Sequence, residues 1–236
     1  VRCAHHRLFV ALLTLAIVPA WAAPAHALVH DDFEERFFTD RAQTVADRCI
    51  VKRDSTYHMF YTEGPVGLFT PSLQTSFGHA TSRDLVHWAI APSVLPTVPG
   101  TWESLAHWAP MILEQPAGTY NMFYTGVDSN NVQQIGLATS ADLSTWTRSP
   151  ANPVFHPDST WSDWNPLAYC NSRDPFVWAD GDTVRMVVTA LTKYGQGVIS
   201  LAASTDLTHW FDQGPLAQMP SGPTSWHQLE APMLTQ

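Results

Sequence analysis

The sequence predicts an all-β protein of the β-propeller class, on three observations. The pattern Ser-x-Asp-Leu-x-x-Trp occurs three times, each copy follows two strand-like apolar runs, and the whole unit repeats with a period of about 60 residues. The copies read SRDLVHW, SADLSTW and STDLTHW, at Ser82–Trp88, Ser140–Trp146 and Ser204–Trp210. Radially repeated four-stranded units form a propeller, whereas the strands of a β-sandwich, the alternative, do not repeat in blocks of this length.

The strand-like runs carry an alternating pattern. They read YHMFYT, YNMFYT and VRMVVT, beginning at Tyr57, Tyr120 and Val184. Because successive side chains of a strand point to opposite faces, the first run should separate two sets of residues. One face should carry His58, Phe60 and Thr62, and the other Tyr57, Met59 and Tyr61.

The repeated motif itself is predicted to be scaffold. An aspartate at its third position can cap a tight turn by accepting backbone N–H groups. The leucine and tryptophan would then pack inward between neighbouring sheets. We therefore expect the aspartates to lie in equivalent turns remote from any site, and the tryptophans to be largely buried: Asp84, Asp142 and Asp206, with Trp88, Trp146 and Trp210.

Composition excludes some classes of function. The formal net charge of −9 argues against nucleic-acid binding, which needs Lys and Arg to displace phosphate counterions. Ten tryptophans with only 14% charged residues suit a protein that stacks aromatic rings on neutral sugars, although a tryptophan-rich β core would have the same composition.

The first 27 residues have the features of a secretory signal peptide. Arg2 and Arg7 precede the apolar run Leu8–Val18, and small residues around Ala25–Ala27 offer a cleavage site. The run is short for a membrane anchor, the alternative. We therefore predict a secreted or periplasmic protein whose mature domain covers residues 28–236, with no membrane association after cleavage. Two cysteines remain in that domain, Cys49 and Cys170, either bridged or as two unpaired thiols.

Three acidic residues precede the innermost predicted strands. Asp47, Asp174 and Glu230 each open a unit, the last at the start of an uncompleted fourth. Innermost strands of a propeller surround its axis, so these acids should converge at one end although they are far apart in sequence. Hydrolysis of a glycosidic bond needs one acid to protonate the leaving oxygen and one carboxylate to attack or to activate water. We therefore predict a three-carboxylate glycosidase site.

Several motifs resemble the five-bladed propeller glycosidases of families 43 and 62 and of families 32 and 68. GHATSRDLVHW at Gly78–Trp88 and RDP at Arg173–Pro175 are similar to the β-fructosidase side of that group. HWAPMI at His107–Ile112 and EAP at Glu230–Pro232 are similar to the arabinanase and xylosidase side. The resemblance implies an incomplete five-bladed propeller, about three blades and the first strand of a fourth, truncated at its C-terminus. It also implies action on arabinose-, xylose- or fructose-containing saccharides without a required cofactor, a structural calcium ion being possible.

The resemblance also implies roles for the acids. Asp47 would be the base or nucleophile, Asp174 a third acid that orients substrate and tunes the donor, and Glu230 the general acid. Arg48 beside Asp47 departs from the pattern of either side of the group, and the first role could instead fall to an upstream aspartate: Asp31, Asp32 or Asp40.

Further residues are predicted to contact the substrate. They are Arg173 of the RDP motif, His107 and Trp108 before the second inner strand, and His227 in a connection at the rim, and no metal ligands are predicted. Trp161, Trp164 and Trp226 lie in similar connections and are equally explained by packing.

Two other functions remain open. One is a carbohydrate-binding propeller without catalysis, and the other a protein-interaction propeller of the kelch or WD type, whose repeats are shorter and carry different signatures. The sugar, the linkage, the oligomeric state and the choice between retention and inversion are not determined by the sequence.

Overall fold

The computed structural model describes residues 43–65, 70–115, 118–220 and 229–233, and within them the fold is all-β. Twelve strands form three four-stranded antiparallel sheets, in which the strands pair in chain order. The first sheet is β1 Gln43–Arg53, β2 Thr56–Pro65, β3 Phe77–Ser82 and β4 Trp88–Val94; the second is β5 Ala106–Gln115, β6 Thr119–Val127, β7 Gln133–Ser140 and β8 Thr147–Arg148; the third is β9 Ser172–Asp180, β10 Thr183–Leu191, β11 Gly197–Ser204 and β12 Phe211–Gln218. A single 3-10 turn, Pro71–Leu73, lies in the β2–β3 connection.

The three sheets are successive copies of one unit. The first strands of neighbouring sheets pack side by side, β1 beside β5 and β5 beside β9, so the first strand of each sheet is the inner one. This arrangement confirms the prediction of propeller blades with a period of about 60 residues. The fourth opening, residues 229–233, reaches the inner strand of the third sheet through a hydrogen bond from the Ala231 amide to Asp174.

Two apolar layers hold the sheets together. The layer between the first and second sheets contains Phe60, Ile112 and Leu143, and the layer between the second and third contains Phe123, Met186 and Leu207. Phe60 faces the second sheet, whereas Met59 and Tyr61 belong to a separate cluster. The predicted alternation of the first strand run is therefore confirmed.

The repeated aspartates cap turns, as predicted. Asp142 Oδ1 accepts the backbone N–H groups of Ser144 and Thr145, while Ser140 Oγ accepts those of Asp142 and Leu143. The same bonds recur at the other two copies. All three turns join the third and fourth strands of a sheet, at the end opposite the bends of the inner strands described below.

The burial of the motif differs from the prediction. The three tryptophans are only partly buried, although Trp146 and Trp210 pack edge-on against Phe60 and Phe123 of the layers between sheets. Trp88 and Trp210 donate their indole N–H to the carbonyl of the motif's own leucine. Leu143 and Leu207 are buried between sheets, but Leu85 is 45% exposed, because none of the described sheets packs against that face of the first sheet.

The cysteines are free thiols. Cys49 accepts a hydrogen bond from the Ile112 amide and Cys170 is fully buried, so of the two alternatives the structure has the unpaired one. The predicted signal peptide lies outside the described residues. In the part of the chain that the structure describes, no helix is long and apolar enough to cross a membrane.

Candidate active site

Each inner strand contains the same bend. In β1, β5 and β9 two residues of the inner strand oppose one residue of the second strand, which is a β-bulge. The first bulged residue has a left-handed backbone in every case: Asp47 with φ 45°, Ala109 with φ 49° and Asp174 with φ 57°. Ala231, in the fourth opening, has φ 44°. Bulges of this kind redirect side chains, here toward the line along which the inner strands meet.

The bend establishes which residues are equivalent, and it corrects the sequence comparison by one position. Asp47 and Asp174 occupy the bend itself, whereas Glu230 lies one residue before the bend at Ala231. Glu230 is therefore the counterpart of Arg173, and the three acids do not occupy matching positions. The motifs EAP and RDP already indicate this offset in the sequence. When they are aligned residue by residue, Glu230 falls opposite Arg173 and Ala231 opposite Asp174.

The structure brings Asp174, Arg173 and Glu230 into contact. The Arg173 guanidinium donates to both carboxylate oxygens of Glu230, from Nη2 at 2.6 Å and from Nε at 3.2 Å. The Ala231 amide donates to Asp174 Oδ2 at 3.0 Å. Asp47 is close enough to interact electrostatically with Glu230, Arg173 and Asp174. These four side chains, Asp47, Arg173, Asp174 and Glu230, are called the axial cluster below.

The cluster separates the ionisation of its carboxyl groups. The pKa of Asp174 is raised to about 7, chiefly by burial and also by the charges of Glu230 and Asp47, although the Ala231 N–H bond and Arg173 act in the opposite direction. Partial burial and the charge of Glu230 also raise the pKa of Asp47, whose side chain keeps access to solvent. Burial opposes ionisation of Glu230, but the Arg173 hydrogen bonds outweigh it and lower the pKa of Glu230. Below about pH 7 Asp174 therefore holds a proton, whereas the lowered pKa of Glu230 favours its ionised form.

Arg173 is itself held by side chains that the sequence did not single out. Its Nη1 donates to Asn171 Oδ1 at 2.5 Å and to Gln133 Oε1 at 3.4 Å. Asn171 Nδ2 donates in turn to Asp163 Oδ2 at 2.9 Å. Asn171 lies directly before β9, two residues ahead of Arg173, and this i, i+2 spacing was the only sequence signal for its role.

Threonines at the end of the repeated strand run connect neighbouring blades. The Ala109 amide donates to Thr62 Oγ1 and the Asp174 amide to Thr125 Oγ1, both at 3.0 Å. The Thr62 hydroxyl also hydrogen-bonds the Asp47 carboxylate. The third threonine, Thr189, is buried and has no hydrogen-bond partner among the described residues, and the Ala231 amide at the equivalent position donates to Asp174 instead.

The two substrate contacts predicted before the second inner strand, His107 and Trp108, both lie on β5 and have hydrogen-bond partners within the protein. His107 is fully buried; one ring nitrogen bonds Glu103 at 2.9 Å and the other bonds the Leu95 carbonyl at 2.9 Å. Both nitrogens bond groups of the β4–β5 connection in the protein interior, so the prediction that His107 contacts substrate is wrong. Trp108 lies directly before the bend and is half-buried, with its indole N–H donated to Gln74 at 2.6 Å.

Of the remaining aromatic candidates, two contact neighbouring side chains and two lie outside the described residues. Trp161 donates its indole N–H to Asp212 at 2.9 Å, and Trp164 stacks on His156 with ring centroids 3.5 Å apart. Trp226 and His227 lie outside the described residues. Asp31, Asp32 and Asp40, the alternatives to Asp47, lie outside them too.

Among the described side chains, no group of three or more His, Cys, Asp or Glu residues is arranged to hold a metal ion. A structural calcium ion stays a prediction.

Comparison with known proteins decides the family. A family model described as "Glycosyl hydrolases family 32 N-terminal domain" matches residues 48–235. The chain belongs to this family. Of the two sides of the sequence resemblance, the match supports the β-fructosidase side, as GHATSRDLVHW and RDP had indicated.

The curated relatives support the same family assignment. An insoluble β-fructofuranosidase isoenzyme from Arabidopsis thaliana is 30% identical over 164 residues, 65% of this chain and 27% of that protein. Fructan 6-exohydrolase from Beta vulgaris is 28% identical over 179 residues, 72% of this chain and 28% of that protein. The chain thus spans about a quarter of the length of the curated relatives it matches.

Solved structures share the fold. Fructan 1-exohydrolase IIa from Cichorium intybus matches with a TM-score of 0.66 and 27% identity, over 77% of this chain and 34% of that one. A thermostable family-43 glycoside hydrolase matches with a TM-score of 0.58 and 19% identity, over 79% of this chain and 58% of that one, which supports the fold alone.

Proposed function

We propose that this chain is the part of an exported glycosidase that contains its carboxylate site, and that the enzyme hydrolyses the glycosidic bond of fructose in oligosaccharides. The observation that carries the proposal is the axial cluster, in which carboxyl groups with separated pKa values meet beside an arginine at one end of the inner strands. Family 32 membership, and the β-fructofuranosidase and fructan exohydrolase names of its relatives, favour fructose over arabinose or xylose.

In the proposed mechanism the roles follow position. Asp47 keeps access to solvent and would attack the sugar or activate water. Glu230 would donate a proton to the leaving oxygen, and Asp174, almost fully buried, would hydrogen-bond a sugar hydroxyl with its proton. Arg173 would bind the substrate and tune both acids.

The ion pair between Arg173 and Glu230 imposes a condition on that mechanism. An ionised Glu230 cannot donate a proton, so Arg173 must give up at least one of its two hydrogen bonds to Glu230 before catalysis. A sugar hydroxyl placed between the two groups could accept one of those bonds. Substrate binding would thereby raise the pKa of Glu230 toward the working pH, where a general acid is most effective.

The test is hydrolysis by the purified chain of sucrose, 1-kestose and inulin fragments, with arabinan and xylan fragments as competing classes. We expect release of fructose only from the first group. Asp47→Asn, Asp174→Asn and Glu230→Gln should each lower kcat by about a hundredfold or more. Asp142→Asn, at a turn on the opposite end of the sheet, is the matched control and should keep the wild-type rate.

The alternative is a carbohydrate-binding module without catalysis, and the Arg173–Glu230 pair favours it because it keeps the expected donor ionised. Sugar binding measured by calorimetry, with no hydrolysis over days and no change in affinity on Asp47→Asn, would support that alternative and overturn the proposed activity.

Export is proposed with the activity. The predicted signal peptide, residues 1–27, motivates it, and one relative from Pisum sativum is named a cell wall isozyme. Expression of the full chain in a secreting host, followed by N-terminal sequencing of the medium fraction, tests it. Cleavage after Ala27 is expected, and retention of residues 1–27 on a cell-associated protein would contradict it.

A further inference from the structure

We propose that Asn171 is a positioning residue that holds the Arg173 guanidinium in the orientation in which it pairs with Glu230. The inference rests on the proposed function for its catalytic meaning, since Asn171 touches none of the three carboxylates and would act only through Arg173.

The Asn171 side chain has one chemically allowed orientation. It is fully buried, its Nδ2 donates to the Asp163 carboxylate at 2.9 Å, and its Oδ1 accepts from Arg173 Nη1 at 2.5 Å. A carboxylate only accepts at neutral pH and a guanidinium only donates, so exchanging the amide oxygen and nitrogen would break both bonds. Tyr169 adds a third contact by donating its hydroxyl to Oδ1 at 3.2 Å. Asp163 therefore fixes Asn171, and Asn171 fixes Arg173.

Arg173 needs this support because it is almost fully buried. Its exposed fraction is 7%, so an N–H group that loses its protein partner has little water to replace it. Gln133 Oε1, 3.4 Å from Nη1, is too distant to replace the Asn171 bond unaided. The guanidinium is rigid and planar, so a rotation that satisfies Nη1 elsewhere also moves Nε and Nη2 from Glu230.

Loosening Arg173 should change how Glu230 ionises. The Arg173 hydrogen bonds hold the pKa of Glu230 below its usual value, and weaker bonds would let it rise. In a glycosidase the alkaline limb of the rate profile reports loss of the donor proton. The charged or titratable groups that interact with this pair are Asp47 from β1, Tyr169 from the segment before β9, and Asp174 from β9. Arg48 acts on Asp47, and Asp163 bonds Asn171.

The experiment compares Asn171→Ala with Asn121→Ala in the full chain. Asn121 is an equally buried asparagine at the opposite end of the second sheet, so its variant reports the general cost of removing a buried amide. For Asn171→Ala we expect kcat on 1-kestose to fall about tenfold or more, because a displaced Arg173 would no longer orient the substrate, although its hold on Glu230 would be weaker. Its alkaline limb should move upward by about half a pH unit to one unit. Asn121→Ala should lose stability without a shift of either limb.

A second variant keeps the test decisive if Asn171→Ala does not fold. Asp163→Ala leaves Asn171 and Arg173 in place and removes only the group that fixes the amide, so it should shift the alkaline limb in the same direction by a smaller amount. Unshifted limbs in both variants, with losses matching Asn121→Ala, would overturn the inference and leave Asn171 a packing residue.

A readout independent of turnover separates this inference from the proposed function. The pKa of Glu230 can be followed by carboxyl-carbon NMR in labelled protein, with Glu230→Gln assigning the resonance. A higher Glu230 pKa in Asn171→Ala supports the inference even if the wild-type chain hydrolyses nothing, a result that would overturn only the proposed function. An unchanged Glu230 pKa overturns the inference even if the wild-type chain is active.

Discussion

Carboxylates at the two ends of the sheets have opposite properties, although their side chains are the same. At the turn end, hydrogen bonds lower the pKa of Asp142 to about 2, chiefly from the backbone N–H groups of Thr145 and Ser144. At the axial end, Asp174 accepts one backbone N–H, is 8% exposed, and burial raises its pKa to about 7. The difference is set by the number of donors that face the carboxylate and by its access to water.

The comparison teaches that recurrence of an aspartate says little about catalysis. The three aspartates in the repeated motif are the most regular acids in the chain, and each caps a turn by accepting the backbone N–H groups of the residues two and three positions later. Asp47 and Asp174 occur at a bend that Ala109 occupies in the intervening sheet, so their lack of regularity is the better sign of function.

The largest expected effect concerns the stability of Asp174→Asn. The native state keeps a proton on Asp174 up to about pH 7, whereas the unfolded chain loses it near pH 4. The stability contributed by the protonated carboxyl is therefore complete below pH 4 and is lost as pH rises through 7. Because asparagine is neutral at every pH, Asp174→Asn should be more stable than the wild type at pH 8, by up to about 4 kcal/mol.

Denaturant unfolding of both proteins at pH 4, 6 and 8 measures this difference. It should be small at pH 4 and grow with pH. A variant that is less stable than the wild type at pH 8 would contradict the assignment of a protonated, buried Asp174 and would remove the contrast between the two ends.

A smaller effect on stability is expected at His79, which contacts His58 in the middle of the first sheet. His79 is 3% exposed, stacks on Phe60 with centroids 4.5 Å apart and contacts His58 through ring nitrogens 3.0 Å apart. Burial, aided by His58, lowers the pKa of His79 to about 4. The unfolded chain takes up the proton first, so the stability due to neutral His79 is complete above pH 6.5 and is lost as pH falls toward 4, by up to about 3 kcal/mol.

The His79→Gln variant isolates that contribution. Its free energy of unfolding should depend less on pH than that of the wild type between pH 6.5 and 4. Parallel pH curves for the two proteins would show that burial in the blade interior does not shift the pKa of His79. Burial would then shift a pKa at the axial end but not in the rest of the molecule.

The smallest effect is expected at the turn end. Asp142→Ala removes the acceptor of two backbone N–H groups, which solvent can partly replace because the turn is exposed. The melting temperature should fall by a few degrees, measured by calorimetry, with the rate on 1-kestose kept. Loss of activity without loss of stability would mean that the two ends are not independent.

The sequence was sufficient for the fold, for the turn caps and for the residues of the axial cluster. The period of the Ser-x-Asp-Leu-x-x-Trp motif identified the blades, and the position of Asp47 and Asp174 before apolar runs placed them on inner strands. Each copy of the motif, and each acid with the apolar run after it, is recognised from residues within about ten positions of one another, and the repeat follows from comparing the copies.

Other features depended on contacts between blades, which no local pattern records. Glu230 pairs with an arginine from another blade, 57 positions away, and this pair reverses which acid holds the proton. His107 lies near the beginning of the inner strand β5, yet Glu103 and the Leu95 carbonyl, both from the connection between β4 and β5, bond its two ring nitrogens in the interior. Glu230 lies one residue before the expected bend, and for both residues the partner of the side chain decided the outcome.

The left-handed bend of the inner strands makes this fold easy to redesign. At Asp47, Ala109, Asp174 and Ala231 the backbone takes almost the same unusual shape, with φ between 44° and 57°. Two of these residues are aspartates and two are alanines, so this backbone conformation does not depend on the side chain. An engineer who wanted a further acid, a thiol or an imidazole at the axis could begin by substituting Ala109, where the chain already has the required curvature.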